Sequence, residues 1–295
     1  ARRPSGDAGA LSGSRLDFFG RIARGYAAMM SPDTPLYVYE IAGSIRDRLN
    51  ATPRSFVGLW NEDDVSYVFF TEALDDYVNN CLSGSDCALR AKHLTLYSEW
   101  VDAMPAGGVS IGDLLFVADD HPSPPPEAIL LDPSVAFGDG SHPTTAACLQ
   151  FMHELIPGKS VKSMLDLGTG MGILSVAAAA LGVTRITAVD RNVLAARAAV
   201  KNVELNRLGS TITVIEGDAR EFIDHSYELA VANLPFEVIE SIAELDATAG
   251  VQLWVISGIS DSQGEIVEEL FSRKGFRQEL FRRDFPWVSF AMIRS

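Results

Sequence analysis

The strongest chemical signal in the sequence comes from two carboxylates and three glycines. Asp166-Leu167-Gly168-Thr169-Gly170-Met171-Gly172 follows one apolar run and precedes another. Glycines in that place let a chain turn tightly and bring its backbone close to a ligand. Asp190 lies 22 residues beyond Gly168 and ends the next apolar run. A carboxylate there can accept hydrogen bonds from ribose hydroxyls, although it could equally cap the helix that begins near Arg191. Asp218, in Glu216-Gly217-Asp218-Ala219, is a candidate either for contact with an adenine amino group or for a helix N-cap. Asn233-Leu234-Pro235-Phe236 closes a further apolar run. The Asn233 side-chain carbonyl could accept a hydrogen bond from a substrate N–H, with Pro235 fixing the turn and Phe236 packing on a flat or apolar substrate group. The plainer alternative is a strand-ending turn with an Asn cap.

Asp190 in register with the glycine loop points to an adenosine-containing ligand. A dinucleotide site would place its third glycine at position 173, which is Ile173. The pattern here is G-x-G-x-G, with Asp166 two residues before the first glycine. That suits S-adenosylmethionine, which offers an amino-acid end to an acid and has no pyrophosphate to accommodate. The expected activity is methyl transfer, an in-line displacement in which positioning supplies much of the rate enhancement. It needs no Cys or Ser nucleophile.

The elements that must position these residues follow from periodicity. Strand-like runs cover Ser163–Leu167, Arg185–Val189, Thr211–Ile215, Leu229–Ala232 and Gln252–Ser257. Helical stretches lie between them at Ile173–Leu181, Asn192–Asn206, Ala219–Ile223 and Glu237–Leu245, with a last one at Asp261–Ser272. This rhythm demands a parallel sheet with helices on both faces. Phe276–Phe281 and Trp287–Ile293 are separated by too few residues for a crossover helix and predict an antiparallel hairpin. The expected fold class is α/β, a doubly wound, mostly parallel seven-stranded methyltransferase sheet with a C-terminal antiparallel hairpin.

Upstream, Leu36–Ile41, Ser55–Trp60, Val65–Phe70 and Leu89–Tyr97 read as strands, and Ala42–Leu49 and Thr71–Cys81 as helices. That β-α-β-β-α-β order predicts a small ferredoxin-like α+β domain for recognition. The expected division is a flexible tail and amphipathic helix over 1–34, the small substrate-recognition domain over 35–100, a linker segment over 101–131 and the S-adenosylmethionine domain over 132–295. The helix of the first segment is read from Ser14 to Met30. Pro124-Pro125-Pro126 marks the linker, although Leu114–Ala118 and Ala128–Leu131 could pair across it.

Composition limits the partners. Lys and Arg total 24 against 39 Asp and Glu, a net charge of −15. Gripping duplex nucleic acid needs a basic footprint, so a basic protein or a neutral small molecule is the expected partner. Cys81, Cys87 and Cys148 and the five scattered histidines suggest neither a disulfide framework nor a metal site. The longest apolar run, Ile173–Val183, is short of the ~18 residues that would suggest a membrane helix. A cytoplasmic enzyme is expected. Arg2 and Arg3 could belong to a targeting peptide, against which Asp7, Asp17 and the missing apolar stretch weigh.

One string is more specific. Asp132-Pro133-Ser134-Val135-Ala136-Phe137-Gly138-Asp139-Gly140-Ser141-His142-Pro143-Thr144-Thr145 closely resembles the segment preceding the cofactor domain in ribosomal protein methyltransferases of the PrmA type. The resemblance continues through Leu165–Gly172, Asp190, Asn233 and Ser257-Gly258-Ile259. It implies methylation of large-subunit ribosomal protein eleven on lysine side chains and the terminal amine. It also implies that Phe137, Gly138, Thr145, Gly168, Asp190 and Asn233 line the S-adenosylmethionine site, the Phe137–Gly140 loop covering it. One departure stands out: the family continues the Asn with two aliphatic residues and Ala, whereas Leu234-Pro235-Phe236 follows here. That variant leans toward enzymes acting on planar amide or adenine nitrogens. The alternatives are therefore an N-methyltransferase of a planar amide, nucleobase or small metabolite, and a non-catalytic cofactor-binding module. The number of methyl groups added and the oligomeric state stay open.

Overall fold

A computed structural model describes residues 33–45, 48–49, 52–62, 64–96, 105, 107–132, 140, 142–224 and 226–295. The helix expected over Ser14–Met30 and the loop residues Phe137 and Gly138 lie outside them.

The N-terminal part is a four-stranded antiparallel sheet of β1 (Pro35–Ala42), β2 (Phe56–Glu62), β3 (Val65–Phe70) and β4 (Ala88–Leu96), with helix α1 (Asp75–Leu82) before β4. The strand order β2-β3-β1-β4 is that of the ferredoxin-like motif. Two details differ from the sequence expectation. Helix α1 begins at Asp75, because the Thr71 amide is bonded to the Ser55 carbonyl and continues the strand end. Ala42 ends β1, Gly43 has a φ of +91°, the Ile45 amide donates to the Ser66 hydroxyl, and Arg48 is 3-10 helical with its amide bonded to the Ile45 carbonyl.

Residues 109–131, read as a linker segment whose apolar runs could pair across the prolines, do form that pairing and contribute to the core. β5 (Val109–Ile111), β6 (Leu114–Ala118) and β7 (Ile129–Leu131) form a small sheet, β6 and β7 running parallel on either side of the proline-rich connection. Their inward residues Ile111, Leu114, Phe116, Ile129 and Leu131 are buried in the main hydrophobic cluster. The prolines are confined to the 119–128 connection, where no ladder hydrogen bond is lost.

The main sheet contains β8 (Ser163–Leu167), β9 (Arg185–Asp190), β10 (Ile212–Glu216), β11 (Leu229–Asn233), β12 (Leu253–Ser260), β13 (Phe276–Asp284) and β14 (Trp287–Arg294). Its order is β10-β9-β8-β11-β12-β14-β13. The first five are parallel, and β14 runs antiparallel to both β12 and β13, as the short gap after Phe281 required. One face is covered by α2 (Pro143–Lys159), α3 (Ile173–Ala180) and α4 (Val193–Leu205), the other by α5 (Phe236–Glu244) and α6 (Asp261–Arg273). The Ala219–Ile223 stretch is one 3-10 turn, Ala219–Glu221. Because both faces of the sheet are covered, the central strands β8 and β11 are buried at nearly every position, and alternation decides which face each side chain meets. Met164, Leu229 and Val231 join the cluster under α2–α4, and Leu165, Leu167, Ala230 and Ala232 the cluster under α5 and α6. The period of two places Asp166 and Asn233 on the α2–α4 side.

The N-terminal sheet meets the first turns of α4. Leu194 packs with Leu36, Val38, Val57 and Phe69, and the Arg197 guanidinium donates to the Val57 carbonyl at 3.0 Å. Gly58 permits this approach: a Cβ there would lie 2.1 Å from the Leu194 side chain. Gly58→Ala is therefore expected to cost about 1–3 kcal/mol of stability by overpacking. Leu194→Ala should cost less in the Gly58→Ala background than in the wild-type chain in denaturant unfolding; strictly additive losses would show that the two residues do not press on each other.

Candidate cofactor and acceptor site

The carboxyl ends of β8, β9, β10 and β11 lie side by side, which is where a doubly wound sheet binds its ligand. After β8 the chain turns through Gly168, Gly170 and Gly172 at φ of +73°, +56° and +88°. Gly172 needs both its conformation and its missing side chain, since a Cβ would stand 3.1 Å from the Ala199 backbone of α4.

Asp166 is fully buried beneath this loop. Its Oδ2 accepts from the Thr169 hydroxyl at 2.7 Å and the Ser175 hydroxyl at 2.6 Å. Its Oδ1 is buried and has no hydrogen-bond partner among the described residues. Burial pushes the Asp166 carboxyl up to about 6, against the lowering effect of the Ser175 and Thr169 bonds, with the Asp190 charge adding to the rise. A buried carboxylate oxygen without a donor is costly. It fits the cationic amino group at the amino-acid end of S-adenosylmethionine.

Asp190 accepts the Gly170 amide on Oδ2 at 2.9 Å and the Asn192 amide on Oδ1 at 2.8 Å. Burial raises its pKa, opposed by those two backbone donors. Each oxygen retains a further lone pair, so the carboxylate can fix the glycine loop and still receive two ribose hydroxyls. The Gly217 amide donates to the Asp190 carbonyl and brings the loop after β10 alongside. Asn192 caps α4 through the Leu194 amide, so Asp190 itself is not the cap residue.

Asp218 does what the plainer reading expected. It caps the 3-10 turn through the Arg220 amide and pairs with the Arg220 guanidinium, which holds its carboxyl down at about 2. Its oxygens are engaged locally, and Arg220, two residues on, was the signal for that pairing.

Asn233 ends β11, and its Nδ2 donates to the Thr145 hydroxyl of α2 at 3.3 Å. Thr145 is buried in the first turn of that helix. His142 caps the helix, with Pro143 in the first turn. Thr145 thus touches Asn233, and with Nδ2 held by the helix, Asn233 Oδ1 is the acceptor left for a ligand. Pro235 is exposed and precedes α5, while Phe236 packs partly against the cluster under α5 and α6.

Ser257-Gly258 has a structural reason that the sequence alone did not supply. Asn233 pairs with Ser257, the Leu234 amide donates to the Ser257 carbonyl, and β12 slips register with β14 between Ile256 and Ile259. Gly258, at φ +84°, lets the Leu234 backbone pass: a Cβ there would lie 2.5 Å from the Leu234 carbonyl oxygen. Gly258→Ala should cost about 2 kcal/mol or more and displace the turn that carries Asn233. Turnover is expected to fall further than cofactor affinity, as measured by kinetics beside calorimetry; unchanged turnover would show that the turn tolerates the shift.

The family model for ribosomal protein L11 methyltransferase (PrmA) matches residues 75–295. The chain belongs to this family. Ribosomal protein L11 methyltransferases of Bacillus cereus and Bacillus anthracis are each 36% identical to it over 174 residues, 57% of this chain and 54% of theirs. The chain thus spans about half the length of the curated relatives it matches. The crystal structure of ribosomal protein L11 methylase from Lactobacillus delbrueckii subsp. bulgaricus aligns with a TM-score of 0.53 at 27% identity, covering 62% of this chain and 95% of that one. Membership agrees with the resemblance carried by the Asp132–Thr145 string, while Leu234-Pro235-Phe236 is a departure within the matched range. Among the described residues no His, Cys, Asp and Glu cluster could hold a metal ion, and no helix is long and apolar enough to cross a membrane.

Proposed function

We propose that this chain is an S-adenosylmethionine-dependent N-methyltransferase of a basic ribosomal protein, acting on lysine or a terminal amine in the cytoplasm. The observation that carries this reading is the unpartnered, buried Asp166 Oδ1 beside the Asp190-braced glycine loop, with Asn233 Oδ1 on the same side of the sheet. S-adenosylmethionine, when bound, supplies an electrophilic methyl group on its sulfonium. Asp166 would hold its ammonium group and Asp190 its ribose hydroxyls. The Gly168–Gly172 backbone would allow close approach.

Asn233 Oδ1 accepts an N–H of the incoming amine and thereby aims the nitrogen lone pair along the line of displacement. Among the described residues the geometry names no side chain as general base, and an exposed amine can lose its proton to water. The net charge of −15 favours a cationic acceptor protein over duplex nucleic acid. A planar amide or nucleobase acceptor rests on Pro235 and Phe236, and the partial packing of Phe236 against the core weighs against a free stacking platform.

The test is incubation of the protein with radiolabelled S-adenosylmethionine and a ribosomal protein fraction. Label in a basic protein band is expected. Label confined to RNA or small molecules would overturn the protein reading, and cofactor binding without any label would indicate a non-catalytic module.

A further inference from the structure

We infer that Asn202, near the C-terminal end of α4, is a positioning residue that sets the cofactor loop. Its side chain is fully buried and spans two separate pieces of chain. Nδ2 donates to the Met171 carbonyl inside the glycine loop at 2.8 Å, and Oδ1 accepts the Asp132 amide at the end of β7 at 2.7 Å. The Met171 carbonyl belongs to the peptide unit that leads into Gly172, so this bond fixes the orientation of the turn from behind. Ala199, three residues earlier and on the same face of α4, supplies the close backbone contact against Gly172. Asn192 caps the same helix and donates its amide to Asp190. One helix therefore braces both the ribose carboxylate and the glycine loop.

Asn206, one turn on, provides an internal comparison. Its Oδ1 accepts the Leu130 amide at 3.0 Å, and its Nδ2 donates to the Leu130 carbonyl at 2.7 Å and to the Asn202 carbonyl at 2.8 Å. It anchors β7 to α4 and makes no bond to the glycine loop. Both asparagines satisfy buried backbone groups, so loss of either should lower stability. Only Asn202 reaches the loop that would hold the cofactor.

This inference rests on the cofactor reading given above, and the experiment separates the two. S-adenosylhomocysteine is titrated calorimetrically into the wild-type chain and into Asn202→Leu and Asn206→Leu, with Tm measured for each. Both variants should melt lower. Asn202→Leu should bind about tenfold or more weakly, because misplacement of a positioning loop is multiplied at the ligand, while Asn206→Leu stays within about twofold of wild type. Asn202→Asp, which keeps the acceptor for Asp132 but removes the donor to Met171, should also weaken binding and serves if Asn202→Leu does not fold. Equal loss of affinity in the Asn202 and Asn206 variants, or none in either Asn202 variant, would overturn the positioning role. Failure of the wild type to bind would overturn the cofactor reading instead.

Discussion

Asp166→Asn is expected to make the ligand-free protein more stable at neutral pH while removing most of its affinity for S-adenosylmethionine. Burial raises the Asp166 carboxyl from its ordinary 3.8 to about 6. The fold therefore prefers the protonated acid. Its stability at this site is full below the unfolded value and is lost as pH rises through about 6. Above that pH, ionisation costs about 3 kcal/mol, because each tenfold change in proton affinity is worth about 1.4 kcal/mol. Asparagine keeps an oxygen for the Thr169 and Ser175 hydroxyls and removes the charge. In denaturant unfolding, the variant should gain over wild type at about pH 8 and lose that gain toward about pH 4. The cofactor's ammonium group needs the ionised form. Wild-type affinity should accordingly fall by about tenfold for each step of one in pH below about 6, and the variant should show weak, pH-independent binding. A variant that binds as wild type does, or is less stable at both pH values, would mean that Asp166 serves the fold alone.

Asn233→Ala is expected to lower kcat by about a hundredfold, the scale of loss when a reacting group is no longer oriented, and to leave cofactor affinity within about threefold. The asymmetry follows from position: Asn233 is held at the strand end by Thr145 and keeps Oδ1 as an acceptor, whereas Asp166 and Asp190 are the residues proposed to hold the cofactor's ammonium group and ribose hydroxyls. Thr145→Val, which removes the bond orienting the amide, should give a smaller loss of kcat. Equal losses in kcat and affinity for Asn233→Ala would assign Asn233 to holding the cofactor only.

Much of this was legible in the sequence because it is local. The rhythm of apolar runs after Gly158 sets the sheet, and the short gap between Phe281 and Trp287 forces the closing hairpin. Asp166, Gly168, Gly170 and Asp190 follow from spacing along two adjacent strand ends. What was illegible depends on contacts between distant segments. Ser175 and Asn202 look like ordinary helix residues until the fold brings one to Asp166 and the other to Met171 and Asp132. The reason for Gly258 lies in the backbone of Leu234, on another strand end. The stretch before Leu131 reads as a linker because of its prolines, yet its short strands bury Phe116 and Leu131 in the main core. Asp218 had two readings of equal local merit, and the nearby Arg220 is what takes up its carboxylate.

The proposed reaction is methyl transfer from S-adenosylmethionine to a ribosomal protein. The most direct measurement is the intact mass of purified ribosomal protein L11 after incubation with this chain and S-adenosylmethionine, with Asn233→Ala alongside. A mass gain in whole methyl increments is expected with the wild-type chain, and little or none with the variant over the same period. An unchanged mass with the wild-type chain, under conditions where S-adenosylhomocysteine binds, would contradict it.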